Sequence, residues 1–151
     1  MTDTKSILIK EYFHKVKQAN KEHTKKEAFK DLLNRLYADD KDILKLVDKI
    51  SLGSEKTILN IPRKDKLHKG SADTLYNKII IEFENDLKQT LTHAKEQLAG
   101  YLLGQFNSGE GYNFTLIASD FISWKVYSPA VECIDKLNEL SEDELKLEEV
   151  K

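Results

Sequence analysis

The chain has 151 residues, 40% hydrophobic and 33% charged, with a formal net charge of -2, enough for one ordinary core and too little for two. Its single cysteine, Cys133, excludes an internal disulfide framework and a thiolate-held structural metal, and suits a reducing compartment. The longest strictly aliphatic runs are three residues, as at Ile79-Ile80-Ile81, and Met1-Thr2-Asp3-Thr4-Lys5 lacks the apolar core of a signal peptide, so a soluble, cytoplasmic protein with no membrane partner is expected.

Apolar residues at three-to-four spacing, Ile7, Leu8, Tyr12, Val16 and Ala19, predict a first helix, and Ala28, Phe29, Leu32, Leu33, Leu36 and Tyr37 a second, with Asn20 as the break. A short third helix over residues 42–50 meets a stop signal at Gly53. Thr57-Ile58-Leu59-Asn60-Ile61 predicts a strand closed by Pro62, and the basic residues 63–70 read as a loop or a ragged hairpin end. Two short strands, residues 72–76 and 77–84, flank a turn at Tyr76-Asn77-Lys78. A helix over residues 87–103 follows, then a loop at 107–111. Strands 113–118 and 122–127 come next, with Trp124 expected in the core. Pro129 opens a last helix through Val131, Ile134, Leu137 and Leu140, before an acidic end from Glu142. This order predicts an α/β (α+β) domain, a mixed central sheet flanked by helices with an N-terminal helical segment, over residues 1–140, with 141–151 as an acidic tail or domain boundary.

Charge is unevenly divided. Residues 1–70 carry 17 Lys and Arg against 11 Asp and Glu, residues 71–128 carry 4 against 7, and residues 129–151 carry 3 against 8. A basic front half suits phosphate contacts and an acidic middle suits a cation, although lysines on solvated helices account equally well for the front-half excess.

On a strand, alternate residues share a face about 6 to 7 Å apart, so Glu82 and Glu84 turn one way with Ile80 while Ile79, Ile81 and Phe83 turn the other: one core face, one acidic face. Glutamate is depleted from strands, and a buried carboxylate is costly unless solvent, a cation or a basic partner compensates. A strand end emerging into water meets that need as well. Asp73, nine residues earlier behind Gly70-Ser71-Ala72, is brought beside Glu82 by a hairpin. One or two carboxylates, with water and phosphate in the remaining positions, are how proteins hold Mg²⁺. His14, His23, His68 and His93 lack the spacing of a zinc site, and no Gly-rich phosphate loop or nucleophile elbow is present.

In these residues the chain resembles the PD-(D/E)XK nuclease superfamily, whose pattern is an acid on one strand and an acid-any-lysine triplet on the next, inside an αβββαβ core. Gly70-Ser71-Ala72-Asp73 followed by Ile81-Glu82-Phe83-Glu84 matches that layout, with alanine in place of the name-giving proline. Gln97-Leu98-Ala99-Gly100-Tyr101 is similar to the Gln-xxx-Tyr helix motif of one branch. Glu22-His23-Thr24 is similar to the Glu-His-Thr opening of type IIG and related restriction-modification proteins. The resemblance spans about residues 20–128.

It implies a metal-dependent endonuclease of a restriction-modification system acting on double-stranded DNA. Mg²⁺ or Mn²⁺ would be held by Asp73 and Glu82, with the carbonyl of Phe83 as a further ligand and Glu22 as an outer acid. Gln97 and Tyr101, four apart on a helix, would face the acidic strand and hydrogen-bond phosphate. Position 84 departs from the pattern: glutamate stands where the family has the lysine that orients the attacking water. Glu84 itself, as metal ligand or proton acceptor, or Lys88 four residues on, is the candidate for that role. The basic residues 63–69 would touch phosphates without sequence choice. Because of Glu84 a second reading stands beside the first, a nuclease-fold module without catalysis that serves DNA binding or assembly with a methyltransferase or specificity partner. A third is a protein-interaction domain with an acidic C-terminal arm.

Overall fold

A computed structural model describes residues 2–64 and 66–151. Three helices come first, α1 (Thr2–Gln18), α2 (Glu22–Leu36) and α3 (Lys41–Ile50), with the break at Asn20 where expected. Helix α2 starts six residues before its apolar periodicity, because its first turn, Glu22-His23-Thr24, is polar. Asp40 caps α3 by accepting from the Ile43 amide at 3.1 Å, and the helix stops at Ser51, in the left-handed region (φ 52°), before Gly53 is reached.

Next come β1 (Lys56–Arg63) and β2 (Lys66–Ala72), paired antiparallel as a separate two-stranded ribbon. The basic stretch, expected to be a loop or a ragged hairpin end, is the closed end of this hairpin and most of β2. Its inward side is supplied by Gly70 and Ala72 rather than by large apolar residues, which hid the alternation. Pro62 lies inside β1 instead of ending it; a two-stranded ribbon leaves such a residue free of further ladder demands.

The main sheet runs β3 (Thr74–Tyr76), β4 (Ile79–Phe83), β5 (Thr115–Ser119), β6 (Trp124–Pro129) and β7 (Leu147–Glu149), in that order. Strands β4 and β5 are parallel, joined by the crossover helix α4 (Leu87–Asn107), and the other pairs are antiparallel. This is the mixed sheet flanked by helices that the element order predicted. The last helix is only a 3₁₀ segment, Val131–Lys136, because Pro129 belongs to β6 and leaves too little chain for an α-helix. The acidic end is folded: β7 pairs with β6, Leu145 is buried, and the Glu142 amide donates to the Pro62 carbonyl at 3.0 Å.

Both faces of β4 are covered, which corrects the expectation of one core face and one acidic face. Ile81 and Phe83 pack with Tyr12, Val16, Leu32 and Phe121 under the N-terminal helices. Ile80 packs with Leu98, Leu102 and Leu116 under α4. Helix α4 itself is sandwiched, with Ile58 and Ile61 of β1 on its far side, so residues 98–104 are buried without interruption. The approach is closest at Gly104, where an added Cβ would meet the Leu59 carbonyl oxygen at 2.6 Å. Trp124 lies at the sheet margin, 40% exposed, with its ring against Phe29 and edge-on to Phe83, rather than in the core. Among the described residues, no helix is long and apolar enough to cross a membrane.

Candidate active site

Strands β3 and β4 form a tight hairpin with Thr74 opposite Ile81 and Tyr76 opposite Ile79. Asn77 takes the left-handed turn position at φ 51°, which asparagine tolerates better than most residues. One step further along the same register, Asp73 faces Glu82. The Asp73 amide donates to Glu82 Oε1 at 3.3 Å, and the Phe83 amide donates to Asp73 Oδ2 at 2.7 Å. The hairpin thus joins Asp73 to Glu82, while the expected convergence of three acids with Glu84 gives no group of three metal-holding side chains among the described residues.

Glu82 is 5% exposed. Burial, and then the charge of Asp73, push its carboxyl up to about 9. Burial raises Asp73 as well, opposed by the Phe83 amide and by a hydrogen bond from Glu82. With its carboxyl pushed up to about 9, Glu82 holds its proton at neutral pH, and Asp73 beside it is also raised.

Two further acids approach. Glu22, the first residue of α2, is raised by burial and then by Asp73 and Glu84. Glu84 follows the end of β4, where its amide continues the pairing by donating to the Ser119 carbonyl at 2.8 Å. Burial raises its carboxyl, His93 lowers it, Asp73 raises it, and a hydrogen bond from Thr90 lowers it. All four acids therefore sit above their ordinary range in a common field.

The Tyr101 hydroxyl donates to the Ser71 carbonyl at 2.9 Å and lies 3.4 Å from Glu82 Oε2, so α4 does present this residue to the acidic strand. Gln97, one turn earlier, is half-buried, and none of the hydrogen bonds that hold Asp73 and Glu82 involves it. Lys88 is exposed at the start of α4, with its amide on Asp86 Oδ1 at 3.0 Å.

Lysines of α2 also act on the acids, Lys25 and Lys26 both lowering Glu22. A cavity of about 140 Å³ is lined by Glu22, Lys26, Gly53, Glu55, Asp73 and Phe83. Lys26 lowers both Glu22 and Asp73. Its stem lies across Gly53, where an added Cβ would sit 2.2 Å from Lys26 Cδ. Gly53 also has a positive φ of 74°, and its amide donates to the buried Thr74 hydroxyl at 2.8 Å, so only glycine suits this wall. The Glu22/Lys26 spacing of four, which places both on one helix face, was the available sequence signal for this lysine.

Lys25, 8% exposed, donates to the Asn85 carbonyl at 2.6 Å, and Asn85 Nδ2 donates to the Asn20 carbonyl at 3.2 Å. Asp86 caps α4 through the Lys88 amide. The segment just after β4 is thereby held from α2, from the α1–α2 connection and from α4.

Among the described residues, no group of three or more His, Cys, Asp or Glu side chains is placed to hold a metal ion. The donor set offers two carboxyl groups in mutual contact, with two more acids further out. Two carboxylates, with other positions left to water and phosphate, fit the way Mg²⁺ binds. A larger groove of about 630 Å³ lies apart, lined by Arg63, Glu96, Glu139, Glu142 and Glu144; there Arg63 Nε donates to Glu142 Oε1 at 2.5 Å. It contains none of the four acids.

The chain matches no family model, no curated protein and no solved structure.

Proposed function

We propose that this chain is a nuclease domain that hydrolyses DNA phosphodiester bonds with Mg²⁺ or Mn²⁺, within a restriction-modification system. The observation that carries the reading is the Asp73/Glu82 pair: Asp73 in the bend just before β3 and Glu82 opposite it on β4, joined by the Asp73 amide, with Glu82 buried so that it keeps its proton at neutral pH. Groups buried in this way bind a cation at the expense of that proton. When bound, the ion polarises a phosphate and lowers the pKa of a water molecule.

The protein's own groups do the rest. Asp73 and Glu82 would hold the ion, and the Phe83 amide fixes the Asp73 carboxylate. Tyr101 holds Glu82 in register with the end of β2. Lys26, on the wall that also carries Asp73, supplies the ammonium that position 84 lacks and steadies charge developing on the phosphate. Glu22 and Glu84 act as outer acids, Glu84 as the acceptor for a proton from the attacking water.

The test is Mn²⁺ binding by calorimetry together with plasmid cleavage in Mg²⁺ and Mn²⁺. Alanine at Asp73 or Glu82 is expected to abolish both. Cleavage that persists in both variants sinks the assignment. A second reading, a nuclease-fold module for DNA binding or assembly with a methyltransferase partner, is favoured by glutamate at position 84. It predicts salt-sensitive DNA association with no nicking under any metal.

A further inference from the structure

Phe121 takes a backbone conformation that a bulky side chain rarely adopts. It lies in the turn between β5 and β6 at a φ of 74°, in the left-handed region, and it is fully buried. Such a conformation persists only where the surroundings over-determine it. The Phe121 amide donates to the buried Ser119 hydroxyl at 2.9 Å, and its carbonyl accepts from the Tyr12 hydroxyl of α1. Asp120 braces the turn from within, accepting the Ile122 and Ser123 amides at 3.1 and 2.7 Å, and ties it to α4 by accepting the Leu87 amide at 3.3 Å.

The ring held in this way lies flat on Phe83, with centroids 4.3 Å apart and planes 7° apart. Phe83 is the residue whose amide donates to Asp73 Oδ2 at 2.7 Å. The next amide, that of Glu84, is bound by the carbonyl of Ser119, whose hydroxyl takes the Phe121 amide. The β5–β6 turn therefore grips the backbone at the end of β4 twice, through the stacked ring and through Ser119. Phe83 and Phe121 also line one cavity with Asp73.

We infer that Phe121 is a positioning residue for Asp73: its strained turn presses the ring onto Phe83 and so fixes the amide that orients the Asp73 carboxylate. This rests on the nuclease reading only for what that carboxylate binds. Core filling alone is a role that Leu32, in the same apolar cluster, serves as well, and that alternative makes a different prediction.

The experiment is amide hydrogen exchange by NMR on the full isotope-labelled chain without metal, reading Phe83 against Leu102, a fully buried residue of α4 whose amide reports global opening. Phe121→Leu keeps an apolar side chain and loses the stack, and Phe83 is expected to lose about tenfold in protection relative to Leu102. Ser119→Ala, which keeps the ring and removes the acceptor of the Phe121 amide, should act in the same direction and decides the matter if Phe121→Leu does not fold. Leu32→Ala should lower both amides alike. Phe83 protection that follows Leu102 in Phe121→Leu and in Ser119→Ala overturns the inference, as does an equal selective loss in Leu32→Ala. Mn²⁺ calorimetry separates this from the nuclease reading, since Phe121→Leu should bind the ion about tenfold more weakly than wild type. A selective loss at Phe83 with unchanged Mn²⁺ affinity keeps the positioning and takes Asp73 out of the ion's coordination. A wild type that binds no Mn²⁺ rejects the nuclease, and the exchange result still decides the role of Phe121.

Discussion

Asp73 and Glu82 face each other across a hairpin, Asp73 donating its amide to Glu82 and accepting the next amide, that of Phe83, in return. Glu82 titrates near 9, well above its ordinary 4.5, so the folded state holds a proton that the unfolded chain gives up. The stabilisation is complete below about pH 4.5 and is lost as pH rises toward 9. Glu82→Gln, which mimics the protonated form, should therefore melt close to wild type at pH 5 and roughly 3–8 °C above it at pH 8.5 without metal. Equal melting temperatures at both pH values would refute the raised Glu82 carboxyl.

Lys26 reaches the cavity from α2, and Glu84 occupies the position where the resemblance places a lysine. Lys26→Met should slow cleavage about 100- to 1000-fold while Mn²⁺ affinity stays within a few-fold. Adding Glu84→Lys in that background should recover at least about tenfold, because one ammonium then stands in for another. Wild-type cleavage by the single variant would remove Lys26 from the mechanism.

Gly104 touches backbone, and backbone cannot rotate out of the way as a flexible side chain can. Gly104→Ala, with its Cβ 2.6 Å from the Leu59 carbonyl oxygen and 2.7 Å from Ile58 Cγ2, should destabilise the fold by about 1–3 kcal/mol in urea denaturation.

The folded C-terminal segment gives a further expectation. Leu145→Ala removes a buried side chain and should cost about 2–4 kcal/mol. Truncation after residue 140 removes β7 as well and should lower the urea midpoint further. A truncated chain that melts like the full one would show that segment to be dispensable.

The acid pair was legible because its geometry is local: nine residues and one asparagine turn set the register that joins Asp73 to Glu82. The crossover helix was legible from its periodicity, although its burial on two sides was not. Less visible was the covering of β4 on both faces, since three consecutive isoleucines suit a parallel interior strand as well as an alternating one. Strand β2 escaped because lysine and glycine hide its alternation, and β7 because it is an edge strand in an acidic run. Lys26 lies 47 residues from Asp73, and only tertiary packing puts them on one cavity wall.

The short segment after β4 is anchored to three separate elements: the Glu84 amide to β5, the Asn85 carbonyl to Lys25, and the Asn85 side chain to the carbonyl of Asn20. The helical layer and the sheet consequently share a joint at the edge of the acidic cluster. A shortened protein beginning within α2 would lose that joint together with Glu22. The connection at Asn20 is thus tied to the edge of the site, and α2 forms part of the site's wall through Glu22 and Lys26.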